Sequence, residues 1–243
     1  MWWRRTSALS CSLLVFVAVS YAAPQLTVTA HVNVIRRRHA KSADQSNIVV
    51  WLTPIGGSVV PASLAATPQQ PPPSLTQKDK GFEPHLLVLR VGSVVDFPNH
   101  DPFFHNVFSL FDGKRFDLGL YEAGTTRHVR FDRPGICYIF CNIHPEMSAV
   151  VVVLDTPYYG IADHAGAVVI PDVPAGRYHL YVWDERSLPE ALRKLTREVV
   201  VSESQPSLGT IRVPEADVPL EHKNKYGRDY DKPVPSSPIY IQP

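Results

Sequence analysis

The chain has 243 residues, enough for one or two domains at about 150 residues each. Hydrophobic residues make up 44% and charged residues only 19%, so a packed core is within reach. The 24 basic and 23 acidic side chains nearly cancel, which argues against a nucleic-acid binder, since such proteins carry a basic surplus.

Residues 1–22 read as a secretory leader. Trp2 to Arg5 is a basic start, Leu9 to Val19 is apolar, and Ser20-Tyr21-Ala22 places small residues at the −3 and −1 positions of a cleavage site. The apolar stretch is short of the ~20 residues that span a bilayer, so no membrane span is expected in the mature chain. The mature protein is expected in the periplasm or outside the cell. Beyond the leader, only Cys137, Cys141 and Met147 remain of the sulfur-containing residues, all within one short stretch.

Residues 26–34 alternate apolar and polar side chains, the pattern of a half-buried strand, and 47–52 reads as a second strand. Arg36-Arg37-Arg38 reads as a solvated basic turn. Residues 55–74 form a proline-rich linker. The chain's 23 prolines are nearly twice the usual share of ~5%, and they concentrate here and in the tail. From 86 to 154 come short strands at regular spacing (86–90, 93–97, 105–108, 115–121, 125–131, 136–141, 149–154), punctuated by Gly92, Asp112-Gly113, Gly124 and Pro134-Gly135. That rhythm belongs to a β-sandwich or barrel. A second β group follows at 167–170, 177–183 and 197–201, with a helical turn or two at 188–195. The segment 214–243 is polar and proline-rich, and is expected to be extended or disordered.

The informative motif is Cys141-Asn142-Ile143-His144-Pro145-Glu146-Met147, a Cys-x2-His-x2-Met placed directly after a strand. His105 opens an earlier strand. Thiolate, two imidazoles and a thioether are the donors of a blue-copper centre, in which one cysteine and two histidines make a trigonal plane and methionine is a long axial ligand. Soft sulfur suits copper(I) and imidazole suits copper(II), so a rigid site between the two preferences moves little when an electron arrives. Structural zinc sites rarely use a thioether, and iron–sulfur clusters need more thiolates. His100, in the turn before His105, reads as a surface residue, and the other histidines are scattered.

Residues 81–154 resemble the cupredoxins of the plastocyanin–amicyanin group. The matching marks are Phe82-x-Pro84, Val91-Gly92-Ser93-Val94-Val95-Asp96-Phe97-Pro98-Asn99, His105-Asn106-Val107, and Pro134-Gly135 ahead of Cys141-x2-His144-x2-Met147. The short loop with Pro145 is closer to amicyanin's. The wider chain resembles secreted bacterial proteins labelled "methylamine utilization protein", a label that says nothing about an amine pathway here. The resemblance implies an all-β fold, a cupredoxin Greek-key β-sandwich, holding one type 1 copper ion through His105, Cys141, His144 and Met147. It also implies that Asn106 ties the two ligand loops together and that the edge of His144 is the electron exit. Phe103, Phe104, Ile143 and Pro145 would then form an apolar docking patch for a redox protein partner.

Cys137 departs from the plastocyanin-like pattern. A disulfide to Cys141 is implausible, because four strand residues span about 13 Å whereas bridged Cα atoms lie within about 7 Å. Cys137 reads as a buried thiol, with a binuclear purple-copper site of the Cys-x3-Cys type as the sharper alternative. The stretch from Asp163 to Leu180, together with Ile48-Val49-Val50-Trp51-Leu52, resembles the regulatory-like β-sandwich attached to some carboxypeptidases. The expected layout is therefore nested: 25–54 and 160–213 form a small sandwich, and a cupredoxin domain, 75–158, is inserted between its strands. The chain has no His-x-His, Gly-x-Ser-x-Gly, His-Glu-x-x-His or phosphate-binding loop, so it is expected to be no enzyme. The expectation is one-electron transfer between protein partners; the alternative is copper binding or delivery without a redox circuit.

Overall fold

The computed structural model describes residues 25–35, 45–56, 71–110, 113–216 and 222–230. The expected leader, the Arg36–Arg38 turn, most of the linker and the end of the tail lie outside the described residues.

The described chain is all-β apart from one short helix. Its strands are β1 (Gln25–Ile35), β2 (Val49–Pro54), β3 (Thr76–Lys78), β4 (Gly81–Glu83), β5 (Leu86–Arg90), β6 (Val94–Pro98), β7 (His105–Ser109) and β8 (Phe116–Tyr121). They continue as β9 (Thr126–Arg130), β10 (Gly135–Cys141), β11 (Ser148–Leu154), β12 (Tyr159–Ile161), β13 (Ala167–Pro174), β14 (Gly176–Trp183), β15 (Arg197–Val201) and β16 (Ser207–Pro214), with helix α1 (Pro189–Arg193) before β15.

One five-stranded sheet runs β5-β11-β10-β7-β8, with β5 parallel to β11 and the other pairs antiparallel. Facing it is a layer made of the pairs β3–β4 and β6–β9, linked by the bridges Ser74–Asp96 and Gln77–Asn99. Between the two lies a core of Leu75, Phe97, Val107, Phe131, Ile139, Val151 and their neighbours, including Cys137, Cys141 and Met147.

The first two strands do not join that sandwich. β1 lies between β13 and β16, and β2 lies between β12 and β14 in the sheet β12-β2-β14-β15. β1 buries Val28, Ala30 and Val32 and exposes the residues between them, the period-2 pattern of a strand with one face on a core. The turn into β13 needs Gly166: its φ is +86°, and a Cβ there would sit 2.2 Å from the Val32 carbonyl oxygen.

The second core is aliphatic, built on Val28, Val50, Leu52, Ile170, Leu180 and Val213, and it reaches across to Leu86, Val88, Val150, Val152 and Leu154 of the five-stranded sheet. β11 (Ser148-Ala149-Val150-Val151-Val152-Val153-Leu154) is therefore buried on both faces, as its unbroken valine run suits. Val151 and Val153 face one core; Val150 and Val152 face the other.

Candidate metal centre

β7 and β10 are antiparallel neighbours, with Cys141 opposite Val107 and Phe140 opposite Phe108. This pairing brings the start of β7, His105, beside the end of β10, Cys141. The chain leaves the sheet at Cys141 and returns at Ser148, so the tight loop between places His144 over the same end.

His105 Nδ1 lies 3.7 Å from Cys141 Sγ, His144 Nδ1 lies 3.6 Å from it, and the two ring nitrogens are 3.1 Å apart. All three side chains are buried. A circle through three atoms at these separations has a radius of about 2 Å, the length of a metal–imidazole bond. The donor set of one sulfur and two imidazole nitrogens fits copper.

Met147 is fully buried in the same core. Its N–H donates to the His144 carbonyl at 3.1 Å, and its carbonyl accepts the Cys141 N–H at 3.3 Å. The loop is thereby closed on itself, with Cys141, His144 and Met147 on one ring of backbone.

Burial sets the protonation states. It pushes the Cys141 thiol up, against backbone N–H groups of Asn106, Ile143 and His144 that favour the thiolate. It also pulls His105 and His144 below the ordinary histidine value, so both imidazoles are neutral near neutral pH. Neutral imidazoles are the form that binds a metal, and a metal would supply the charge that deprotonates the thiol.

His105 has a buried partner that sequence reasoning missed. Its Nε2–H donates to Asp101 Oδ2 at 2.7 Å, which leaves Nδ1 as the lone-pair nitrogen facing Cys141 and His144. Burial pushes the Asp101 carboxyl up, but the bond from His105 and those from the Lys80 and Asp79 N–H groups outweigh it and hold the carboxyl below the usual range. Asn99 shapes the loop, accepting the Asp101 N–H at 3.0 Å and donating to the Phe103 carbonyl at 2.8 Å. The sequence signal was an aspartate four residues before the histidine, in a segment read only as a turn.

Asn106 joins the two loops through its backbone, its carbonyl accepting the Asn142 N–H at 3.3 Å. Its side chain turns away and donates to Asp117 Oδ1 at 2.6 Å. Phe103 lies against both histidine rings, at 5.2 Å from His105 and 5.6 Å from His144. Phe104, Ile143 and Pro145 are exposed beside the nearly buried His144.

His100 is exposed and stands apart from the cluster. Cys137 is free and lies in the same core, but outside the His–Cys–His group. Its sulfur packs on Gly113, where a Cβ would come within 2.7 Å of it, and burial pushes its thiol up to about 11. Those are the surroundings of a core thiol.

The tail is the other surprise. Residues 222–230 make a compact turn packed against the loop that carries Cys141, His144 and Met147, with the Tyr230 hydroxyl donating to the Cys141 carbonyl at 2.8 Å. Nothing in the local sequence announces this contact, since its partners stand 89 residues apart.

No family model matches the chain, and no curated protein matches it. Solved structures do. A novel purple cupredoxin from Nitrosopumilus maritimus is 22% identical, with a TM-score of 0.31, covering 34% of this chain and 99% of that one. The oxidised state of a proline-to-alanine mutant of amicyanin is 22% identical, with a TM-score of 0.33, covering 37% of this chain and 89% of that one. The copper-containing nitrite reductase of Thermus scotoductus is 20% identical, with a TM-score of 0.35, covering 51% of this chain and 28% of that one. Structural neighbours of part of the chain are thus cupredoxins.

Proposed function

We propose that this protein is a type 1 copper protein that carries single electrons between protein partners. The observation that carries the reading is the buried trio of His105 Nδ1, His144 Nδ1 and Cys141 Sγ, spaced to surround one ion at the end of a rigid sandwich. Bound copper would supply a one-electron couple between copper(I) and copper(II).

The chain's residues do the rest. Cys141, His105 and His144 would hold the ion, and buried Met147 would add a thioether. Asp101 fixes the tautomer of His105. Backbone N–H groups of Asn106, Ile143 and His144 aimed at the Cys141 sulfur stabilise its charge and tune the potential. Phe103 lies against both histidine rings, and the burial of Cys141, His105, His144 and Met147 excludes water from the centre. His144 lies nearest the surface, and exposed Phe104, Ile143 and Pro145 beside it suit an apolar partner face. The chain would act as one copper sandwich, 75–158, nested in the strands of another, 25–54 and 160–213, an arrangement supported by the pairing of β1 with β13 and β16 and of β2 with β12 and β14. With a leader at 1–22, it would work in the periplasm or outside the cell.

The test is an absorption spectrum of the mature chain with copper(II), beside Cys141→Ser. An intense thiolate-to-copper band near ~600 nm, the range of blue copper, that is lost in the variant is the expected result; a colourless wild type overturns the reading. Rapid electron exchange between oxidised and reduced samples, with slow copper loss to a chelator, separates a carrier from a copper-delivery protein.

A further inference from the structure

Besides the Ile143 and His144 N–H groups on the Cys141 sulfur, the loop 141–147 has only long backbone bonds. Its three backbone bonds, Met147 N–H to His144, Cys141 N–H to Met147 and Asn142 N–H to Asn106, run from 3.1 to 3.3 Å, at the long end of the ~2.7–3.2 Å range. The shorter bonds come from residues 222–230. Tyr230 Oη donates to the Cys141 carbonyl at 2.8 Å, His222 Nε2 donates to the Pro145 carbonyl at 2.8 Å, and the Lys225 N–H donates to Asn142 Oδ1 at 3.0 Å.

The same segment is anchored to the sheet below. The His222 ring stacks on Phe140 at 3.8 Å between centroids, and Tyr230 meets the His222 ring edge-on. Lys225 Nζ pairs with Asp117 Oδ2 at 2.8 Å, and Asp117 Oδ1 accepts from Asn106. The segment also holds its own shape: Asn224 Oδ1 accepts the Tyr226 and Arg228 N–H groups, and Lys223 pairs with Asp229. A self-closed turn loses little entropy when it grips its target, so its bonds act on the loop rather than on itself.

We propose that residues 222–230 are a brace that holds the 141–147 loop in its metal-holding geometry, with His222, Lys225 and Tyr230 as positioning residues of the centre. This rests on the copper reading above. The brace reaches the donor loop at both ends, at Cys141 and at Pro145 next to His144. Movement of the backbone at Cys141 or Pro145 would open the His–Cys–His cluster, and the brace resists that movement.

The test uses the full mature chain and three variants: Tyr230→Phe, the double variant His222→Ala/Tyr230→Phe, and Arg228→Lys, an exposed control in the same segment. The first measurement is amide hydrogen exchange of residues 141–147 in metal-free protein. The double variant is expected to exchange about tenfold faster there, Tyr230→Phe a few-fold faster, and the control as wild type, with exchange of β11 unchanged in all. The second is loss of copper(I) to an excess of chelator, expected to accelerate in the same order, with a shift of the visible band in the double variant. Unchanged exchange at 141–147 overturns the brace. Faster exchange with unchanged copper release and spectrum overturns its role at the centre. A wild type that takes up no copper sinks the metal reading and with it the positioning role, while amide exchange still decides whether the brace exists.

Discussion

The two cores of this protein share an aliphatic base but differ in their aromatic and polar residues. The core around Val28, Leu52 and Val213 is aliphatic with a few tyrosines, and the buried polar residues near it are Thr156, Asp184 and Ser187. The core around Leu75, Phe97 and Val151 is capped by the other buried polar residues among those described: Gln77, Asn99, Asp101, His105, Asn106, Ser109 and His144. Buried polar groups cost stability unless they are paired, so they persist where they form a network or hold a ligand. The difference places the His105–Cys141–His144 cluster at one core alone. Both cores press on β11, so the second core packs against the strand that follows the 141–147 loop.

The comparison breaks most severely at Cys141. Cys141→Ser is expected to abolish the thiolate-to-copper absorption outright, while Cys137→Ala in the same core leaves the band in place, which a pair of spectra checks. Next comes the scaffold. Leu52 is fully buried in the second core, and Leu52→Ala is expected to cost about 2–5 kcal/mol. Since the two cores share β11, urea unfolding followed by backbone signal and by visible absorption should shift together; separate midpoints would show that the sandwiches unfold independently.

Asp101→Asn sharpens the contrast at the network. Asparagine keeps an acceptor for His105 Nε2 but removes the charge, and metal affinity is expected to fall about 10–100-fold with the fold intact, measured by competition with a chelator. Cys137→Ala is expected to cost about 1–2 kcal/mol as a small core cavity, read from the unfolding midpoint.

The smallest effect lies at the seam between the sandwiches. His85 Nε2 meets Glu185 at 2.6 Å, and that bond raises the histidine above its ordinary value against the opposing effect of burial. A raised folded value means the protonated pair stabilises fully below about pH 6.5, the unfolded value, and its contribution fades as pH rises through the folded value. Half exposed, the pair contributes little. Glu185→Gln should flatten that slope in melting temperature against pH and leave the metal centre untouched.

Much of this was readable beforehand. The strands of 86–154 follow from turn residues at short spacing, and the Cys141-x2-His144-x2-Met147 loop announces its donors because they are near in sequence. The sequence also pairs 47–52 with later strands only by resemblance, since nothing local says which strand it meets. Strand β16 lies within the span 160–213 expected for the smaller sandwich but has no clear turn-bounded pattern of its own, and β3, β4 and β12 are too short for periodicity to speak.

The sequence by itself determined the class of fold and brought out the Cys141-x2-His144-x2-Met147 spacing, because alternation, turn chemistry and a compact motif are local properties of the chain. Only the tertiary structure decided that His105 faces the loop with Nδ1, that Asp101 rather than His100 serves the centre, and that residues 222–230 fold back onto Cys141. Each of those depends on which side chains meet across long stretches of sequence. Such meetings are fixed by the packing of two sheets and a tail around shared strands, which no local pattern encodes.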